Sequence, residues 1–274
     1  MKKFTLLLLS ALSLHADAPS DSFLTKHLLQ ILEITGMEPL HNQEPMLDQM
    51  NIWAQKNLLR QGERWDEQTD RFEKLSSQLR PLLAELRFIN QIVAPINHYQ
   101  GALIHGSTVN TTKVRIQYLD TEWKRGVRFS NLYFLTGSRP LTAAERSFIR
   151  VETEAEMTQF LWNEMDISPD MKSQVEVFFI NAPMKQNLSL RPTTEDTVNE
   201  WLKTSPPLGH YLAISNAPHI PRQDFILQTL APKKYSFDTI GPGASENEKM
   251  VIFLDELARF LYSLKHLEGY ERKP

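Results

Sequence analysis

Cysteine is absent from all 274 residues. That single absence removes disulfides, thiolate nucleophiles, cysteine-ligated zinc and a lipid-modified amino-terminal cysteine. Glycine is sparse, with 10 residues. No Gly-x-Gly-x-x-Gly turn, phosphate loop ending in Gly-Lys-Ser/Thr, Gly-x-Ser-x-Gly elbow or His-Glu-x-x-His pair occurs. Basic charge is not in excess, since 30 Lys and Arg stand against 33 Asp and Glu. A general nucleic-acid binder is thereby excluded, because phosphate-backbone affinity needs clustered cations. Beyond the first 18 residues no apolar run approaches the ~20 residues of a membrane-spanning helix. Without disulfides the fold must rest on an apolar core, and 41% hydrophobic residues suffice for one large domain, or one with an extension.

Residues 1–18 carry two lysines, an apolar block from Phe4 to Leu14 and small residues at Ala16 and Ala18. This is the pattern of a cleaved secretory signal peptide, with the cut after Ala18 or after Ala16. The mature chain is then expected to be periplasmic or secreted, with no transmembrane helix.

Residues 19–99 read as a helical extension. Phe23, Leu24, Leu28, Leu29, Ile31 and Leu32 recur on one face of a first helix opened by Ser20 or Ser22. A second helix is predicted over Met46 to Arg60 and a third over Glu63 to Leu79. Pro81 is expected to start a further segment, Leu82 to Val93. Their charged faces read as solvated surface.

Residues 100–270 change character. Apolar runs at Gly101–Ile104, Asn131–Leu135, Val175–Ile180, Tyr211–Ile214 and Phe237–Ile240 alternate with helical patterns, among them Glu152 to Met165, Thr193 to Trp201 and Glu248 to Leu264. Strands alternating with helices at this spacing predict an α/β domain with a Rossmann-like, doubly wound, mostly parallel sheet of about five strands. Right-handed crossovers would gather the strand ends on one rim.

That rim collects the candidate chemistry. Gly106-Ser107-Thr108 and Gly137-Ser138-Arg139 follow the first two strands, and helix starts there favour an anion. The fourth strand runs into Ser215-Asn216-Ala217-Pro218-His219-Ile220-Pro221-Arg222, where the prolines end the ladder. Arginine offers a fork for phosphate or carboxylate, and histidine exchanges a proton near neutral pH. The plainer reading is a strand-to-helix loop whose charges only cap and solubilise it.

Together, Thr136-Gly137-Ser138, Glu154-Ala155-Glu156-Met157, Pro192-Thr193-Thr194-Glu195-Asp196 and the segment from Ser215 to Arg222 carry a resemblance. In order and placement they resemble the domain of unknown function 218 family, the SanA-, YdcF- and ElyC-like proteins of bacterial envelopes, over roughly residues 100–264. Two positions depart from the family pattern: Pro192 and Asp196 stand where it has asparagine. An amide that donates and accepts has become, at 196, a carboxylate that only accepts at neutral pH. The resemblance implies a ligand site formed by Gly106, Ser107, Gly137, Ser138, Arg139, Thr193, Asp196, Ser215, Asn216 and Arg222. It names no cofactor, and no metal site is expected.

Two functions follow from these residues. In one, an enzyme acts on a phosphorylated or carboxylated envelope intermediate: Arg139 and Arg222 hold the anion, His219 is acid or base, and Glu154 or Glu195 orients it or activates water. In the other, a non-catalytic envelope protein binds an anionic ligand at the rim, or docks a protein partner through its amino-terminal helices.

Overall fold

The computed structural model describes residues 21–40, 44–60, 69–185 and 191–272. The expected signal peptide, both cleavage points, Ser20 and residues 63–68 of the expected third helix lie outside the described residues. The strands are β1 (Gly101–His105), β2 (Asn131–Gly137), β3 (Glu176–Ala182), β4 (Gly209–Ile214) and β5 (Tyr235–Ile240). The helices are α1 (Asp21–Ile34), α2 (Met46–Asn57), α3 (Ser76–Glu85), α4 (Val109–Lys124) and α5 (Ala143–Arg146), then α6 (Glu154–Glu164), α7 (Pro169–Gln174), α8 (Thr194–Lys203), α9 (Ile220–Leu230) and α10 (Met250–His266). The chain divides into two compact units. A helical unit holds Met1–Asn90, Ala217–Phe225 and Gly243–Glu271; a sheet unit holds Gln91–Asn216, Ile226–Pro242 and Arg272–Pro274.

In the sheet unit the five strands lie in the order β3-β2-β1-β4-β5, every neighbour parallel. This is the Rossmann-like α/β sheet expected from the alternation, with its strand order reversing between β1 and β4. Each strand is longer than its apolar run, because backbone pairing continues through polar residues: Thr136 and Gly137 still pair with Asn181 and Ala182. Ala102, Ile104, Leu132, Phe134, Leu212 and Ile214 form one face, packed into a cluster with Ile116 and Trp123 of α4 and Met157 and Leu161 of α6. The alternate residues face the other way, as a period of two requires. There the fully buried Trp201 of α8 lies 6.0 Å from the ring of Tyr133, 5.2 Å from Tyr211 and 6.0 Å from Phe237. Helices therefore cover both faces.

The sequence sets the helix starts locally. Thr153 accepts from the Glu156 N–H while Glu156 accepts from the Thr153 N–H, a reciprocal cap that opens α6. Thr193 and Asp196 do the same for α8.

The helical unit contains α1, α2, α3 and α10. α10 is docked on α2 by Gln55 donating to the Ala258 carbonyl at 2.7 Å and by Lys265 reaching Asp48. Its own N-cap, Lys249, contributes no side-chain bond, and Asp70 accepts from the Met250 and Val251 N–H groups instead. α3 departs from expectation. It begins five residues before Pro81, keeps the proline inside, and buries Leu79 and Leu83 completely. Pro81 thus does not start a helix. The segment expected to be helical through Val93 stops at Glu85, where Arg87 turns left-handed (φ 66°) and Phe88 N–H bonds back to the Leu83 carbonyl. α9 has Pro221 as its second residue, where a missing N–H costs nothing. Among the described residues no helix is long and apolar enough to cross a membrane.

Candidate functional site

In the sheet unit the turn after β1 is built around two arginines. Arg115 of α4 is 1% exposed and donates to the carbonyls of His105 and Gly106 and to the Asn216 side-chain oxygen, at 2.6, 3.1 and 2.9 Å. It ties the end of β1 to the segment after β4, across the point where strand order reverses. Arg139 grips Glu145 with both terminal nitrogens, at 2.9 and 2.8 Å, Glu154 with Nε at 2.5 Å, and the Ser107 carbonyl at 2.9 Å. All three charged side chains are buried. Thr142 braces Glu145 through its N–H and hydroxyl, each at 3.0 Å. Burial raises the Glu145 carboxyl, but Arg139 and the Thr142 N–H outweigh it and hold the group at about 2.

Gly106 explains how Glu154 fits. A Cβ at position 106 would overlap the Glu154 Oε1 and stand 2.7 Å from the Leu135 carbonyl oxygen. Gly137 is close-packed in a similar way: a Cβ there would meet the Pro192 ring at 2.9 and 3.1 Å. Pro192 therefore covers the turn after β2. Ser138 donates to the Asn181 side-chain oxygen at 3.0 Å. Thr193 and Asp196 are engaged in capping α8, and Lys185 adds an ion pair to Asp196 at 3.3 Å. Burial raises the Asp196 carboxyl and the Thr193 N–H and hydroxyl more than reverse it, so the net shift is downward. Glu195 sits in the first turn of α8. Ser215 is fully buried, with its N–H on the Ile240 carbonyl.

In the helical unit His219 and Arg222 meet a residue that sequence reasoning passed over. Glu256, midway along α10 and 2% exposed, has one carboxylate oxygen 2.9 Å from His219 Nδ1 and accepts from Arg222 Nε on the other at 2.5 Å. Burial alone would raise this carboxyl, but Arg222 and His219 overcome that and hold it far below the ordinary range. The neighbouring Asp255 is buried too, between Arg60 and Arg259 at 3.1 and 3.0 Å. The His219 side chain keeps 23% of its surface exposed. A carboxylate 2.9 Å from Nδ1 favours a proton on that nitrogen, which leaves Nε2 as the one to exchange a proton with a substrate.

Seven of the thirteen expected site residues fall into two clusters: Gly106, Ser107, Arg139, Glu154 and Asn216 about the β1 turn, and His219 with Arg222 about Glu256. Gly137 and Ser138 lie at the β2 turn, Thr193, Glu195 and Asp196 at the start of α8, and Ser215 after β4. Arg115, Glu145 and Glu256 were not foreseen. Glu145 had a signal, the Thr142-Ala-Ala-Glu145 spacing of a capping box. Glu256 had a weaker one, an Asp-Glu pair set into the apolar run of α10. Among the described residues no three His, Asp or Glu side chains converge as a metal-binding group. No family model matches the chain, and no curated protein matches it.

Proposed function

We propose that this is an exported envelope protein in which His219 transfers a proton to or from a phosphorylated or carboxylated envelope intermediate. The leader-like residues 1–18 and the resemblance to the domain of unknown function 218 family support the setting. The observation that carries the chemistry is the 2.9 Å contact between Glu256 and His219 Nδ1, with Arg222 on the far carboxylate oxygen.

Glu256 stays ionised in its buried place and favours the imidazolium. A protonated His219 attracts an anionic group and delivers its Nε2 proton to a leaving oxygen; the neutral ring takes a proton from water in the return step. Arg222 holds Glu256, and Glu256 aims the ring. The alternative is that the same three residues only pin the start of α9 to α10, in a protein that binds its ligand without turnover.

The test is a screen of phosphoesters and envelope precursors with purified mature protein and its His219→Ala and Glu256→Gln variants. A general acid or base of this kind contributes about 10²- to 10⁴-fold to turnover. A loss of that size in His219→Ala, with an unchanged thermal melt, supports the enzyme. A wild type without turnover on any of these substrates moves the assignment to the non-catalytic alternative.

A further inference from the structure

Arg222 has donors in reserve. Its Nε is spent on Glu256 at 2.5 Å, and among the described residues no acceptor meets its two terminal nitrogens. The side chain is only 14% exposed, yet those nitrogens are not sealed from solvent. A guanidinium carries five N–H donors in one plane, so four remain, arranged to take two oxygens of one anion side by side. Arg139, the other cation expected to hold an anion, offers nothing comparable. Its Nε goes to Glu154, and its terminal nitrogens go to Glu145 and the Ser107 carbonyl.

The charge around the Arg222 donors narrows the kind of anion. Arg222 and Glu256 cancel, and His219, with Nδ1 2.9 Å from the other Glu256 oxygen, adds a positive charge when protonated. One residue back on α10, Asp255 is flanked by two guanidiniums, Arg60 and Arg259, at 3.1 and 3.0 Å. Asp224, two residues after Arg222, is offset by Arg87 at 3.1 Å. All these residues belong to the helical unit. Four arginines thus stand against three carboxylates, which leaves one positive charge beside neutral His219 and two beside the imidazolium. A carboxylate supplies one negative charge, whereas a phosphomonoester carries about −1.5 to −2 at neutral pH and presents three strongly accepting oxygens.

We infer that the terminal nitrogens of Arg222 are the receptor for a phosphomonoester group beside His219, and that carboxylates are poor ligands of this site. The inference rests on the proposed function in taking protonated His219 as the group that meets the substrate, and it narrows that substrate to the phosphorylated class.

The test is binding to the purified mature protein at neutral pH. The probes are phenylphosphonate, a phosphomonoester mimic with no ester bond to cleave, and benzoate. Phenylphosphonate should bind with a Kd of about 1 mM or tighter, and benzoate at least about tenfold more weakly. Phenylphosphonate should also shift the Arg222 Nε–Hε resonance of the wild type. Arg222→Lys keeps the charge and loses the fork, and should weaken phenylphosphonate by about tenfold or more. Should that variant unfold, the wild-type Arg222 resonance still decides. A wild type that binds the two probes alike, or prefers benzoate, would overturn the inference. So would phenylphosphonate binding that leaves the Arg222 resonance unmoved. Phenylphosphonate held at Arg222 by a protein without turnover upholds this inference and removes only proton transfer at His219; turnover of a carboxylated substrate with no phenylphosphonate bound does the reverse.

Discussion

Glu256 lies 2.9 Å from the Nδ1 of His219, a contact between a carboxylate in the middle of α10 and a histidine at the threshold of α9. Both side chains belong to the helical unit. Removing one partner of a buried charge pair leaves the others uncompensated, so Glu256→Ala should lose about 3–5 kcal/mol of stability. His219→Ala should lose less, because the more exposed ring leaves Arg222 in place on Glu256. Urea unfolding of the two variants compares them directly. Equal losses would mean that the histidine, and not the arginine, holds the carboxylate.

Arg139 is the corresponding residue of the sheet unit. Its fork matches the two Glu145 oxygens while Nε is spent on Glu154, a geometry that a lysine ammonium cannot reproduce. Arg139→Lys should therefore recover little of the roughly 3–5 kcal/mol lost in Arg139→Ala. Denaturant midpoints decide it. A lysine variant as stable as the wild type would show that charge alone matters at this position.

The sheet was legible because parallel strands buried on both faces read as continuous apolar runs, such as Leu132 to Leu135 and Tyr211 to Ile214. Their ends were not, because pairing through Thr136, Gly137 and Asn181 depends on the neighbouring strand and not on apolarity. α9 escaped notice because Pro218 and Pro221 read as breakers, whereas a proline in the first turn of a helix is tolerated. Pro81 misled in the opposite direction: burial of Leu79 and Leu83 holds α3 together through it. At the site, residue types in the loops were visible but their partners were not. Glu256 pairs with residues distant in sequence, and an Asp-Glu step in a helix ordinarily faces water. Asp196 could be read only as an acceptor; that it accepts from its own helix start emerged with the fold.

Glu145 gives the pH dependence a sign. Its carboxyl is held at about 2 in the folded chain, below the unfolded value of about 4.3. A depressed carboxyl contributes stability that is fully present above the unfolded value and is lost as pH falls toward 2. Wild type and Glu145→Gln should thus differ most at neutral pH, by about 3 kcal/mol at the upper end. The gap should narrow steadily between about pH 4.3 and 2. Urea titrations across that range test it, and a gap constant with pH would remove Glu145 from the acid-sensitive groups.

Pro192 and Gly137 supply a test of packing free of charge. The ring atoms Cγ and Cβ of Pro192 would stand 2.9 and 3.1 Å from a Cβ at position 137. A proline ring cannot swing aside as a long flexible chain could. Gly137→Ala should therefore destabilise the protein by about 1–3 kcal/mol through overpacking. Pro192→Ala removes Cγ, the nearer of the two atoms, and loosens the other. Added to Gly137→Ala, it should return part of the loss, with a coupling of about 0.5–2 kcal/mol in a double-mutant cycle. Strict additivity would mean that the strain of Gly137→Ala is relieved by movement of the β2 turn and not resisted by the ring above it.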